Sequence, residues 1–125
     1  MDGSQASNLK HNVTYDDLRD YIEEVDKLGE LRRVQGATWE EDIGMAAELL
    51  LHSETAPCAL FDEIPGYPKG HRVFTNFFGG RRQNITLGFP PDLTKFELSV
   101  AFNKAYQEVV QRPLPYKTVE TGPVM

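Results

Sequence analysis

The sequence has one cysteine, one tryptophan and three histidines in 125 residues, and each scarcity removes a class of function. Cys58 has no partner for an internal disulfide, so no disulfide framework can stand in for a core. No window approaches the roughly 18 consecutive apolar residues that a membrane helix needs. The opening residues 1–12 are polar and mixed in charge, unlike a secretory leader. With the lone cysteine, this gives the expectation of a reducing cytosol, in which the triplets Asn12-Val13-Thr14 and Asn84-Ile85-Thr86 are chance matches to a glycosylation signal. Basic charge is also short: 13 Lys and Arg against 19 Asp and Glu leave a net −6. Nucleic-acid binding, which needs a basic surface for phosphates, is not expected, and neither is a membrane partner.

What is present suits one globular domain, with 40% hydrophobic and 26% charged residues. The charge is uneven. Residues 1–62 hold 14 acidic and 5 basic side chains, a balance of −9, while residues 63–125 hold 5 and 8, a balance of +3. Such asymmetry reads either as solvated helix surface or as complementary faces between neighbouring domains or subunits.

Residues 1–13 read as a disordered tail or cloning remnant. Thr14 then reads as a helix N-cap with Asp16 and Asp17 in the first turn. Leu18, Tyr21, Ile22, Val25 and Leu28 recur at three- and four-residue steps, which predicts an amphipathic helix closed by Gly29. Glu30 to Val34 is a candidate strand. A second helix is predicted from Glu40 to His52, capped by Thr38, with Ile43, Ala46, Ala47, Leu50 and Leu51 as its apolar members. Pro57 to Phe61 suits a buried strand, and Arg72 to Phe78 a further one. Arg81 to Leu87 suggests a short helix. Thr94 caps a third main helix whose apolar face is Phe96, Leu98, Ala101, Phe102, Ala105 and Val109. Residues 113–125 are expected to be extended, since Pro113, Pro115 and Pro123 exclude a helix, and a final strand is counted there. The order predicts an α/β or α+β domain over residues 14–112, with a small mixed sheet packed by about three main helices.

Candidate chemistry is thin. His11, His52 and His71 stand in a tail, a helix end and a loop, with no metal-ligand spacing. Cys58 lies among Pro57, Ala59, Leu60 and Phe61, an apolar setting that raises a thiol pKa and suits packing better than nucleophilic attack. The pairs Asp16-Asp17 and Glu23-Glu24 and the run Glu40-Glu41-Asp42 fall at helix starts or wet faces, where capping and solubility explain them. The segment Phe77-Phe78-Gly79-Gly80-Arg81-Arg82 offers more. Two glycines before a helix start and two arginines could hold an anion, dock another domain, or form a plain surface turn. It lacks the spacing and lysine of a P-loop.

Several stretches resemble, in order, the N-terminal domain of the UbiD-family decarboxylases. The first is Asp17-Leu18-Arg19-Asp20-Tyr21-Ile22 with Leu28-Gly29-Glu30-Leu31-Arg32-Arg33. The second is Pro57 to Tyr67, with Phe61 and Gly66-Tyr67. The third is Asn76 to Arg82, where Gly80 stands in place of the family's usual serine. Leu87-Gly88, Pro91-Asp92-Leu93, Pro113-Leu114-Pro115 and Val119 to Val124 follow. The resemblance covers residues 15–125. It implies a parent enzyme that converts aromatic or α,β-unsaturated carboxylic acids to carbon dioxide and the corresponding arene or alkene. The parent would use prenylated FMN with a divalent metal and potassium, and would form a homo-oligomer.

In that family the cofactor and the decarboxylating residues belong to later domains, so no catalytic, cofactor-binding or metal-binding residue is assigned to this chain. Residues 113–125 would connect to the central cofactor-binding domain. Phe74, Phe77, Phe78, Arg81 and Arg82 are the expected inter-domain contact. Three readings follow: a scaffold domain of a decarboxylase, inactive alone; a free-standing, non-catalytic binding or regulatory subunit; or a small enzyme with a new site around Arg81, Arg82 and a carboxylate.

Overall fold

The computed structural model describes residues 3–122. A single helical turn, α1 (Gly3–Ala6), precedes α2 (Leu18–Lys27), β1 (Leu31–Gln35), α3 (Asp42–Leu51) and β2 (Cys58–Asp62). Then come β3 (Val73–Thr75), α4 (Gly80–Thr86) and α5 (Lys95–Gln111). The predicted mixed α/β fold is present. β1 and β2 are parallel, with Leu31 opposite Cys58 and Val34 opposite Phe61, and α3 makes the crossover between them. β3 adds antiparallel on the other side of β2, with Leu60 opposite Phe74.

The two-residue period of β2 sorts the core. Cys58 and Leu60 face one way, into a cluster with Tyr21, Ile22, Val25, Leu31 and Ile85. Ala59 and Phe61 face the other way, against Ala37 and the inward side of α3, namely Ile43, Ala46 and Leu50. A third cluster of Phe89, Leu98 and Ala101 seats α5.

Local chemistry moves several boundaries. Asp17, not Thr14, caps α2: its Oδ1 accepts from the Arg19 and Asp20 amides at 2.7 and 3.2 Å. A short carboxylate next to the first helical residue reaches these amides, which a threonine three residues earlier cannot. Gly29, at φ +74°, closes α2 as expected. At α3 the expected roles are reversed. The Thr38 amide and hydroxyl both donate to the Asp42 carboxylate at 2.9 Å, so Asp42 organises the turn and the helix starts there, not at Glu40.

The strand expected over residues 72–78 is cut to three residues by Asn76. This residue takes φ +57° and donates its side-chain amide to the Ala47 carbonyl at 2.9 Å. α5 begins with a full capping box, Thr94 accepting from the Glu97 amide while the Glu97 carboxylate receives the Thr94 amide. Of its expected apolar face only Leu98, Ala101 and Ala105 pack; Phe96 and Phe102 turn away from that row and are exposed, and Val109 is exposed because the helix outruns the body beneath it.

Residues 3–12, expected as a tail, lie against this body. Ala6 is fully buried, and the Asn12 amide donates to the Gly88 carbonyl at 2.8 Å. Beyond α5 no strand forms among the described residues, since Pro113 and Pro115 have no amide hydrogen for a ladder. Pro123, Val124 and Met125 lie outside the described residues. No described helix is long and apolar enough to cross a membrane.

Candidate functional site

The Phe74–Arg82 strip is organised by a residue that sequence reasoning did not single out, Glu30. Leaving β3, the chain turns at Asn76, exposes Phe77 and Phe78, and enters α4 through Gly79-Gly80. Arg82 points inward and is 1% exposed. Its Nη1 donates to Glu30 Oε2 at 2.7 Å, and its Nη2 donates to the carbonyls of Ala56 at 2.7 Å and Asn76 at 3.0 Å. One guanidinium thus ties together the entry to β1, the entry to β2 and the exit from β3. Arg81 takes the other Glu30 oxygen, from Nε at 2.9 Å, and reaches the Leu28 carbonyl and Asp92. These bonds raise the Arg81 pKa, first through Glu30 and then Asp92.

Gly79 leaves room for Arg82, and Gly80 supplies a left-handed backbone. A Cβ added at Gly79 would lie 3.3 Å from Arg82 Nη2. Gly80 sits at φ +52°, and a Cβ there would meet Glu30 Oε2 at 3.6 Å. The anion this turn holds is therefore the internal carboxylate of Glu30. Both arginines are thus committed within the chain, at the start of a helix of 7 residues. Arg82 Nε and Thr75 Oγ1 are buried without a hydrogen-bond partner among the described residues.

Tyr21 supports the strip from below. Its hydroxyl donates to the Phe77 carbonyl at 2.8 Å and lies 2.9 Å from Thr86 Oγ1, and burial pushes its pKa up. Its ring meets Tyr15 and Phe74 edge-on, and Phe74 stacks on Phe77 at 6.4 Å. Beside these rings runs a groove of about 600 Å³ lined by Leu18, Ile22, Leu60, Phe74 and Phe77, with Arg19 and Arg72 at its rim. The five strip residues are thus brought together but serve two ends: Phe77 and Phe78 face solvent, while Arg82 holds them from beneath.

The remaining candidates stand apart. His11 packs edge-on to Phe89, His52 pairs with Glu48 at 2.8 Å, and His71 lies 3.2 Å from the Pro68 carbonyl. No group of His, Cys, Asp or Glu among the described residues is arranged to hold a metal ion. Cys58 is fully buried, donates to the Glu30 carbonyl at 3.3 Å, and has its pKa raised by burial. Asp17 caps α2, Asp42 accepts from Thr38 at the start of α3, and Glu24 pairs with Lys27. Asn84 is buried, its amide committed to the Pro91 and Leu93 carbonyls.

Residues 22–112 match the family model described as the 3-octaprenyl-4-hydroxybenzoate carboxy-lyase N-terminal domain. Two solved structures of the vanillic acid decarboxylase of Sedimentibacter hydroxybenzoicus are similar. The first, an open form with one truncated component, gives a TM-score of 0.65 at 26% identity over 73% of this chain. The second, also open, gives 0.61 at 25% identity over 82%. In both cases this chain spans 20% of the solved chain. No curated protein matches the chain.

Proposed function

We propose that this chain, which belongs to the 3-octaprenyl-4-hydroxybenzoate carboxy-lyase N-terminal domain family, is the non-catalytic scaffold domain of a UbiD-like decarboxylase. The observation that carries the reading is the construction of the strip. A buried Glu30–Arg82 pair, a second arginine and the Tyr21 hydroxyl all hold a turn whose outward members are Phe77 and Phe78. Fixing two phenylalanines in water serves no purpose in an isolated domain. They are 51% and 53% exposed, so burying the remainder against a neighbour would contribute roughly 1 kcal/mol each.

In this reading the parent acts on aromatic or α,β-unsaturated carboxylic acids in the cytoplasm, as a homo-oligomer. Prenylated FMN, with its divalent metal and potassium, supplies the decarboxylation chemistry from the domains that follow. The strip is not assigned to that cofactor in this reading, because Arg81 and Arg82 are both paired with Glu30. In this reading the domain presents Phe77, Phe78 and the adjoining groove, lined in part by Phe74, together with the half-exposed Arg81, to the cofactor-binding domain. Residues 113–125 would then make the covalent connection.

The test uses the full-length parent. The double substitution Phe77→Ser/Phe78→Ser should leave the 125-residue chain folded by circular dichroism, with a midpoint lowered only by the loss of the half-buried rings, while speeding protease cleavage between residues 112 and 122 of the parent. Unchanged cleavage in the parent, or a stop codon after Met125 in the native gene, would overturn the reading. The stop codon would favour a free-standing subunit.

A further inference from the structure

Two helix faces remain uncovered, and they carry opposite charge. α3 packs one side on the sheet, but Met45 and Leu49, one helical turn apart, are 56% and 74% exposed on the other side, and Trp39 just before the helix is 57% exposed. A helix apolar on both faces is characteristic of one covered on both. Gly44 lies on this helix with nothing within 4 Å of where its Cβ would stand. The rim is acidic: residues 36–57 hold five carboxylates and no lysine or arginine.

The C-terminal half of α5 extends past the cluster of Phe89, Leu98 and Ala101 that seats the helix. Val109 follows Leu98, Ala101 and Ala105 on one helical row, yet it is 63% exposed, with Phe102 and Tyr106 beside it. These three side chains line a groove of about 720 Å³ closed on its far side by Asn8 to His11. Lys10, Lys104 and Arg112 lie along it, against the single carboxylate of Glu108.

We infer that the α3 face of one copy docks into the α5 groove of a second copy. Trp39, Met45 and Leu49 would supply the apolar contact, and the acidic rim would meet the basic one. Charge complementarity selects this occupant: two α3 faces would set carboxylates against carboxylates, and two α5 grooves would oppose their cations. Because the two faces are different, the contact is heterologous, and each copy offers one face of each kind. The inference stands independently of the decarboxylase reading, since it concerns this chain alone.

Blocking variants test it. Leu49→Lys disables only the α3 face and Val109→Lys only the α5 groove, and both positions are exposed enough to leave the fold intact, which circular dichroism would confirm. In sedimentation equilibrium the unmodified chain should exceed its 14.1 kDa monomer mass increasingly with concentration. Each variant alone should stay monomeric, with association weakened at least tenfold. Mixed together they should form a dimer that stops at two copies, since each retains the face the other needs and the remaining faces are both blocked by lysine. A monomeric unmodified chain, association by either variant alone, or a mixture that stays monomeric would overturn the inference.

Discussion

Replacing Glu30 by Gln removes one charge and almost no volume, so it isolates the electrostatic part of the strip. The Arg82 side chain is 2% exposed and that of Glu30 18%. The substitution therefore leaves a cation out of water with only carbonyl partners, at Ala56 and Asn76. Breaking a buried pair by removing one partner costs about 3–5 kcal/mol, and the partial exposure of Glu30 places this case near the lower end, about 3 kcal/mol. For a domain of this size each kcal/mol lowers the melting midpoint by about 3–5 °C, so Glu30→Gln should fall by roughly 10 °C.

Arg81 shares the same carboxylate but is 46% exposed and screened. Arg81→Gln should therefore barely move the midpoint. Urea unfolding followed by far-ultraviolet circular dichroism gives the stabilities. A double-mutant cycle should show strong coupling of residue 30 to residue 82 and little to residue 81. If Glu30→Gln proves no more costly than Arg81→Gln, the carboxylate does not hold the turn and the account of the strip fails.

Thr94→Ala removes the cap of α5 and should cost about 1 kcal/mol in the same assay. The Thr94 amide, and then its hydroxyl, hold the Glu97 pKa below the usual carboxylate value. Stability from this group is present above the ordinary glutamate range and lost as pH falls through it, and that acid loss should shrink in Thr94→Ala. Burial raises the Cys58 pKa, so the unfolded chain releases the thiol proton first; stability should decline above about pH 8.5, and less steeply in Cys58→Ala. Gly88→Ala should loosen the opening segment. A Cβ there meets His11 Nε2 at 2.9 Å from a backbone at φ +73°, so proteolysis within residues 3–12 should accelerate at least severalfold while the sheet core stays protected.

Features set by near neighbours in sequence were legible from the residues alone. The apolar stripe of α2, the Gly29 stop, the buried run of β2 and the Thr94 cap each depend on residues within about one helical turn or one strand. Competition between nearby polar groups was harder to read. Asp17 took the role assigned to Thr14, and Asp42 reversed that of Thr38, because the geometry of one turn decides which oxygen reaches an amide. Long-range choices were out of reach. Arg81 and Arg82 are adjacent and chemically alike, yet one is exposed and the other buried. The difference lies in Glu30, Ala56 and Asn76, the first of them 52 residues away. Likewise, the spacing of Val109 marks it as a core residue, and it is exposed only because the body ends beneath α5.

The central claim is that this chain supports decarboxylation without performing it. The most direct measurement is carbon dioxide release from an aromatic carboxylic acid by three preparations supplied with prenylated FMN. These are this chain, the rest of the parent enzyme, and the two mixed. The account predicts no release by the chain, impaired release by the rest, and recovery on mixing that Phe77→Ser/Phe78→Ser abolishes. Release by the chain alone, or full activity of the rest without it, would contradict the claim.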